Sequence, residues 1–234
     1  MKEVFAPGCA LVLYKPEHSE KIIQFLNKRR VGVAEHLTCC QHEPLLEEET
    51  RIINVCPGCD KRYQATYEGV STISLWEILE QEEDFPFPDY GGMQMSIHDA
   101  CPTRGREEML NAIRTLLRRM NIELIEPENT RGKAVCCGDT FYDVLPVEDV
   151  KKMMTKRAEE MPCENVVVYC VSCIKSMHIG GKTPRYLLDL LLGEDTQVEP
   201  FDPEEWHRML DEFIEKSYSK TCMDKEVRGA CKKS

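Results

Sequence analysis

Thirteen cysteines are spread through the 234 residues, and their order carries more information than their number. They fall at 9, 39, 40, 56 and 59, then at 101, 136, 137, 170 and 173, with 163, 222 and 231 outside the pattern. A single cysteine, a doublet and a CxxC occur twice in the same order, with 29 and 15 intervening residues in the first copy and 34 and 32 in the second. An ordered pattern written twice is an internal repeat and predicts two related halves. Thiolate sulfur is a soft ligand, suited to zinc and to iron-sulfur centres. A structural zinc ion takes four ligands, whereas each half offers five, and adjacent cysteines sit poorly on one tetrahedral ion. A multinuclear cluster accommodates them better, because neighbouring thiolates can bind different irons or bridge two.

The elements that must position these thiols repeat as well. Val4-Phe5-Ala6 leads into Cys9 and Met95-Ser96-Ile97 into Cys101, each read as a short strand ending at the site. The β-favouring runs Arg51-Ile52-Ile53-Asn54-Val55 and Asn165-Val166-Val167-Val168-Tyr169 lead into the two CxxC pairs. Helical spacing of apolar residues marks Glu17 to Arg29 and Arg106 to Met120. Closing helices are expected over Thr72 to Glu82 and Pro184 to Leu192, with Pro184 in a first turn and Gly193 as a stop. Strands alternating with helices predict an α/β architecture: two pseudo-symmetric halves, each a small, mainly parallel sheet with flanking helices. Ligands of such sheets collect at the carboxyl ends of strands, where these cysteines fall. The expected organisation is a shortened first half over 1–84, a linker over 85–92 containing Pro86, Pro88 and Gly91-Gly92, and a second half over 93–195. A C-terminal helix over 196–216 and a mobile polar tail over 217–234, which holds Cys222 and Cys231, complete the chain.

Composition narrows the function. A net charge of -11, from 30 Lys and Arg against 41 Asp and Glu, leaves no basic stripe for phosphates, so nucleic acid is not an expected partner. No apolar run is long enough to span a bilayer, and the opening residues have no apolar core followed by a cleavage site, so a cytoplasmic protein without direct membrane insertion is expected. In a reducing compartment, an odd number of cysteines points to metal or redox chemistry before disulfides.

Cys101, Cys136-Cys137-Gly138 and Cys170-Val171-Ser172-Cys173 resemble the cysteine-rich CCG domain of heterodisulfide reductase B subunits. Pro7-Gly8-Cys9 and His98-Asp99-Ala100-Cys101 are similar to that family's openings, which recur in iron-sulfur subunits of lactate, glycolate and glycerol-3-phosphate oxidising complexes. The resemblance covers roughly residues 2 to 195. It implies two non-cubane [4Fe-4S] clusters, one on Cys9, Cys39, Cys40, Cys56 and Cys59, the other on Cys101, Cys136, Cys137, Cys170 and Cys173, with a disulfide cleaved between them. The first half departs from the pattern: Gln41 replaces the glycine after the doublet, and the short second interval implies a lost helix. Glycine after the doublet lets the backbone turn tightly around sulfide without a Cβ clash; Gln41 either reaches the substrate space or lies on the surface.

Other residues have weaker claims. His98 and His178 flank the second set in sequence and either supply a proton to a leaving thiolate or fill structural hydrogen-bonding roles; His42 beside the first doublet has the same two readings. His18 and His207 fall on helices expected to be exposed. Gly180-Gly181-Lys182 with Arg104 and Arg106 suits an anionic substrate tail, the diglycine alternatively being a plain turn. Without a GxGxxG fingerprint or a ferredoxin-type cysteine run, electrons must come from a ferredoxin-like or flavoprotein partner. Three readings remain: a reductase of a disulfide or other sulfur-containing small molecule, a non-catalytic electron-transfer subunit of a flavoprotein dehydrogenase complex, and a zinc-stabilised scaffold.

Overall fold

The computed structural model describes residues 1–30, 32–200 and 202–226, with side chains up to 217. The strands are β1 (Glu3–Ala6), β2 (Ala34–Glu35), β3 (Thr50–Asn54), β4 (Val70–Ser74), β5 (Met93–Ile97), β6 (Ile122–Leu124), β7 (Asn165–Val168) and β8 (Thr183–Tyr186). The helices are α1 (Cys9–Tyr14), α2 (Pro16–Arg29), α3 (Pro57–Thr66), α4 (Leu75–Glu80), α5 (Glu107–Arg119), α6 (Val147–Glu159), α7 (Val171–Ile179), α8 (Leu187–Leu192) and α9 (Pro203–Glu226). The architecture is α/β with two all-parallel four-stranded sheets, ordered β2-β1-β3-β4 and β6-β5-β7-β8. Both halves therefore follow the same strand order, as the repeat predicts. Parallel strands require crossover connections, and the helices cover the sheet faces as those connections.

The fourth strand of each half corrects the expected closing helices. Thr72 and Ile73 pair with Ile52 and Ile53 in β4, and Pro184 pairs with Val166 in β8, before α4 and α8 begin. Pro184 lacks an N–H, which an edge strand with one neighbour tolerates. The stop at Gly193 is found, with the residue left-handed at φ 68°. Between β2 and β3 the first half has no counterpart of α6, which lies between β6 and β7. The C-terminal helix runs to Glu226, well past Lys216. Cys231 and the end of the tail, and the side chain of Cys222, lie outside the described residues.

The two halves share one apolar core that includes Phe5, Ile53 and Trp76 from the first and Met95, Leu116 and Val167 from the second. The segment expected as a linker packs into it: Phe85 is buried and its ring meets Phe25 edge-on at 5.3 Å. Charged groups lock the halves at equivalent places, the third residues of α4 and α8. Glu77 in α4 accepts from Arg106 of the second half, which also pairs with Asp60. Asp189 in α8 is fully buried and accepts from Tyr14 at 2.6 Å and Lys15 at 2.8 Å, with His18 at 2.6 Å, all from the first half. His18 is thus a buried latch residue, not an exposed one. Among the described residues no helix is long and apolar enough to cross a membrane.

Candidate metal centre

Three of the four strands in each sheet run into cysteines at their carboxyl ends. β1 leads to Cys9, β2 to Cys39-Cys40 and β3 to Cys56; β5 leads to Cys101, β6 to Cys136-Cys137 and β7 to Cys170. The last cysteine of each set lies in the first turn of the helix that follows, Cys59 in α3 and Cys173 in α7.

All five thiols of each half come together, in the same order of contact. In the first half, neighbouring thiols couple Cys9 to Cys39, Cys39 to Cys40, Cys40 to Cys59 and Cys59 to Cys56. In the second, the same coupling runs from Cys101 to Cys136, Cys136 to Cys137, Cys137 to Cys173 and Cys173 to Cys170. The Cys137 and Cys173 sulfurs are 3.8 Å apart. All ten are free thiols. Cys163 stands apart, its backbone N–H on the Ser96 hydroxyl.

The electrostatics of each set are those of an uncompensated thiolate pack. Hydrogen bonds from Cys40 and Cys9 bring Cys39 down to about 3, and Cys59 brings Cys56 down to about 7. The bond to Cys39 pushes Cys40 up to about 12, and its contact with Cys39 drives Cys9 far above the usual thiol range. Cys136 is likewise held low by Cys101 and Cys137, while those two partners are driven up. Five sulfurs in one small space cannot all be thiolates without positive charge, and a bound cation would let the raised members of each set ionise.

Buried hydrogen bonds hold the loops. Asp99 takes a bidentate pair from Arg114 at 3.0 and 2.7 Å, the Thr130 hydroxyl at 2.9 Å and the Arg131 N–H at 2.7 Å. The Tyr169 hydroxyl donates to Asp99 at 3.0 Å and accepts from the Ala100 N–H at 3.0 Å, tying the Cys101 turn to the residue before Cys170. The Gly138 N–H donates to Cys136 Sγ at 3.4 Å, and the Gln41 N–H to Cys39 Sγ at 3.5 Å.

The two sets meet at one cleft of about 200 Å³, lined by the five cysteines of the second set together with Cys56 and Gly58 of the first. The helices interlock to produce this: α3 packs on the Cys101 turn of the other half, and α7 packs on α1, which begins at Cys9. His98, Ala100, Pro102, Asp139, Thr140 and Ser172 complete the lining.

The other predicted residues divide. His98 is at the site, its ring within 4.8 Å of the Cys137 and Cys173 sulfurs. Its Nδ1 accepts from Arg157 Nε at 3.1 Å, which leaves the proton on Nε2. Burial and then the Arg157 charge bring it down to about 3, so it is a neutral N–H donor and not a proton reservoir. His178 lies in the last turn of α7, about 10 Å along the axis from the site end, and does not line the cleft. Arg104 holds the Ala134 carbonyl through Nε at 2.8 Å, bracing the Cys101 turn against the loop that leads into the doublet. Lys182 donates to the Met161 carbonyl at 3.1 Å, at the amino end of β8 and away from the cysteines. The diglycine before it is structural: a Cβ on Gly180 would meet the Cβ of Ala158 in α6 at 2.2 Å. Gln41 is exposed and does not line the cleft.

Sequence reading missed the cleft's polar rim. Asp139 follows the CCG motif directly and pairs with His207 Nε2 of α9 at 3.2 Å; His207 is half-buried and stacked on Tyr142 at 3.9 Å. Burial disfavours the charged imidazole, but the Asp139 carboxylate outweighs it and holds His207 above its ordinary value. Trp206, 1% exposed, donates to the Ser172 hydroxyl at 3.0 Å, and the Lys175 ammonium lies 4.7 Å from its ring. The available signal was Trp206 itself, one of two tryptophans, set in an otherwise polar helix.

No family model matches the chain, and no curated protein matches it. Among solved structures, an aspartate racemase of Picrophilus torridus is similar over 90% of this chain and 100% of its own, at 11% identity and a TM-score of 0.35.

Proposed function

We propose that this chain is an iron-sulfur oxidoreductase subunit, similar to heterodisulfide reductase B, that holds a non-cubane [4Fe-4S] cluster on each five-cysteine set and reduces a disulfide or related sulfur compound in the cleft between them. The observation that carries this reading is the identical contact order of two five-thiol sets, with Cys56 of the first set reaching the cleft lined by all five cysteines of the second. The overall step is R–S–S–R′ + 2 e⁻ + 2 H⁺ → RSH + R′SH, with electrons supplied one at a time by a ferredoxin-like or flavoprotein partner. Bound clusters would supply soft iron sites that take thiolate sulfur and accept single electrons. The chain's own part is to crowd the thiols, to exclude water with α7, α9 and the Cys101 turn, and to offer the Nε2–H of His98 as a hydrogen-bond donor to sulfur. Asp139 lines the cleft and is paired on its far side with His207, and we assign to this pair the proton-supplying role expected of His98 and His178.

His98, Cys137 and Cys173 also favour a second reading, since the ligand atoms of these three lie within 4.8 Å of one another, close enough for one mononuclear ion. Iron, acid-labile sulfide and zinc per chain, measured on anaerobically purified protein, separate the two. About eight irons with matching sulfide is the expected result. Zinc near one or two equivalents without sulfide, after failed cluster reconstitution, would sink the redox reading and leave a zinc-stabilised scaffold. Clusters that cycle but never respond to any disulfide would leave an electron-transfer subunit.

A further inference from the structure

The two halves differ in how the chain returns from the cysteine doublet to the strand before the CxxC. The doublet lies at the carboxyl end of a parallel sheet and that strand starts at the amino end, so the connection must run the length of the sheet. In the second half α6 makes the return, with Val150, Met154 and Ala158 buried and Lys152 and Lys156 exposed. It lies against two glycines: a Cβ on Gly138 would meet Met153, and a Cβ on Gly180, at the end of α7, would meet Ala158. In the first half residues 41–49 make the return without a helix. The matching positions, one after the doublet and seven after the last cysteine, are Gln41 and Thr66, both exposed. A helix is about 10–12 Å across with its side chains, and the thinner segment in its place leaves room beside α3.

That room is a groove of about 440 Å³ with apolar walls from Leu45, Leu46, Tyr67 and Val70 and the carboxylates of Glu43 and Glu68 beside them. Both of its ends are fixed: the Tyr67 hydroxyl donates to the Cys40 carbonyl at 3.2 Å, and the Glu49 N–H donates to the Gly69 carbonyl at 2.8 Å. Leu45 is left-handed at φ 49°, a conformation that a bulky residue rarely adopts, and is 37% exposed. Glu47, Glu48 and Glu49 follow Leu46 and are exposed. Among the described residues, only Glu47 of these five carboxylates pairs with a cation, Lys2 at 2.9 Å, and no Lys or Arg lines the groove. Arg62 of α3 stands near Tyr67 but outside the lining, so glutamates outnumber cations at the groove.

We propose that this groove receives an amphipathic helix of a partner protein, apolar toward Leu45, Tyr67 and Val70 and carrying Lys or Arg along its edges, as α6 does on the other half. The glutamates draw in such a helix and repel an acidic one. Because Gln41 and Thr66 carry side chains where α6 meets glycine, the partner helix rides on Leu45 and Leu46 and not on the backbone. The bond from Tyr67 to the Cys40 carbonyl places it beside the first thiol set, but the inference rests on the fold alone and stands whatever metal the thiols hold.

The test uses the full chain and two fluorescent peptides of about 18 residues, both with leucine at helical i, i+3, i+4 and i+7 spacing, one with lysine and one with glutamate between the leucines. Fluorescence anisotropy at physiological ionic strength should show one lysine peptide bound per chain, and the glutamate peptide weaker by roughly tenfold or more. Leu45→Asp should weaken the lysine peptide by roughly tenfold or more. Its added charge alone would strengthen a purely electrostatic attraction, so the weakening reads the lost apolar contact. Leu145→Asp adds the same charge at a leucine of similar exposure in the second half, 39%, and should leave the affinity unchanged. On the unsubstituted chain the bound peptide should slow amide hydrogen exchange over residues 43–49 and 66–70. A lysine peptide that does not bind, equal effects of the two substitutions, or slowed exchange only elsewhere would overturn the inference. So would a dimer of the chain alone in sedimentation that Leu45→Asp splits, since a second copy would then fill the groove.

Discussion

A Cβ on Gly138 would lie 2.9 Å from the Cβ of Met153 and 3.1 Å from the Val150 carbonyl, both in α6, and the residue is left-handed at φ 111°. The glycine after the doublet is therefore required by the helix packed behind it, and not by room for sulfide as its position in the motif suggests. The same fact explains Gln41. With no counterpart of α6 in the first half, nothing crowds that position, and Gln41 is not left-handed. Gly138→Ala is expected to cost about 2–3 kcal/mol, from overpacking plus backbone strain, whereas Gln41→Gly should change stability by less than about 1 kcal/mol. Urea midpoints of the two variants test this, and equal losses would refute the packing account. What sequence shows at this scale is which residue differs between the copies; the reason lies in a helix some fifteen residues further on, which spacing alone does not place.

Element by element, the strands that end in cysteines were legible because β-branched runs precede them, and the repeat supplied the pairing of one half with the other. β4 and β8 were not, because Val70–Ser74 and Thr183–Tyr186 run straight into α4 and α8 with no loop between, so their apolar positions merge with those of the helix; only the capping box of Ser74 with Glu77 marks the first of these boundaries. Histidine roles were lost for a similar reason. His18 and His207 lie on helices whose charged composition reads as solvated, yet tertiary partners bury one and half-bury the other, and a single sequence carries no trace of Asp189 meeting α2 or Asp139 meeting α9. That partnership has a measurable weight. Asp189→Asn leaves Lys15 and His18 with the half-buried Glu194 as their remaining carboxylate, 3.2 Å and 3.9 Å away, and should cost about 3 kcal/mol, the low end of the cost of breaking a buried pair. Tyr14→Phe, which removes one hydrogen bond from the same carboxylate, should cost about 1–2 kcal/mol. Thermal melts of both variants check the ranking, and an Asp189→Asn loss no larger than that of Tyr14→Phe would show that the latch is not held by charge. At α9, Trp206→Ala removes a ring buried against α7 together with its bond to Ser172, and about 3–5 kcal/mol should be lost; Trp206→Phe keeps most of the packing and should lose markedly less.

For the molecule as a whole, the repeat does not produce two independent units. Each half sends its CxxC helix against the opening cysteine of the other, Arg106 reaches back to Asp60 and Glu77, and Tyr14, Lys15 and His18 reach forward to Asp189. The apolar core is continuous across both sheets, so neither sheet can expose its inner face without exposing part of its partner's. Cooperative unfolding follows from that continuity, since a boundary that cuts through a shared core has no stable partly folded form on either side. On the proposed function the cooperativity extends to the centres, because anything bound to the folded state stabilises all of it by mass action. Replacing Cys137 and Cys173 with serine should therefore empty the second set, leave about four irons on the first, and lower the midpoint of a single calorimetric transition for the entire chain. Two transitions, one unmoved and one lowered, would mean that the halves are separate bodies, and the interlocked helices at the cleft could not then be what couples the two thiol sets.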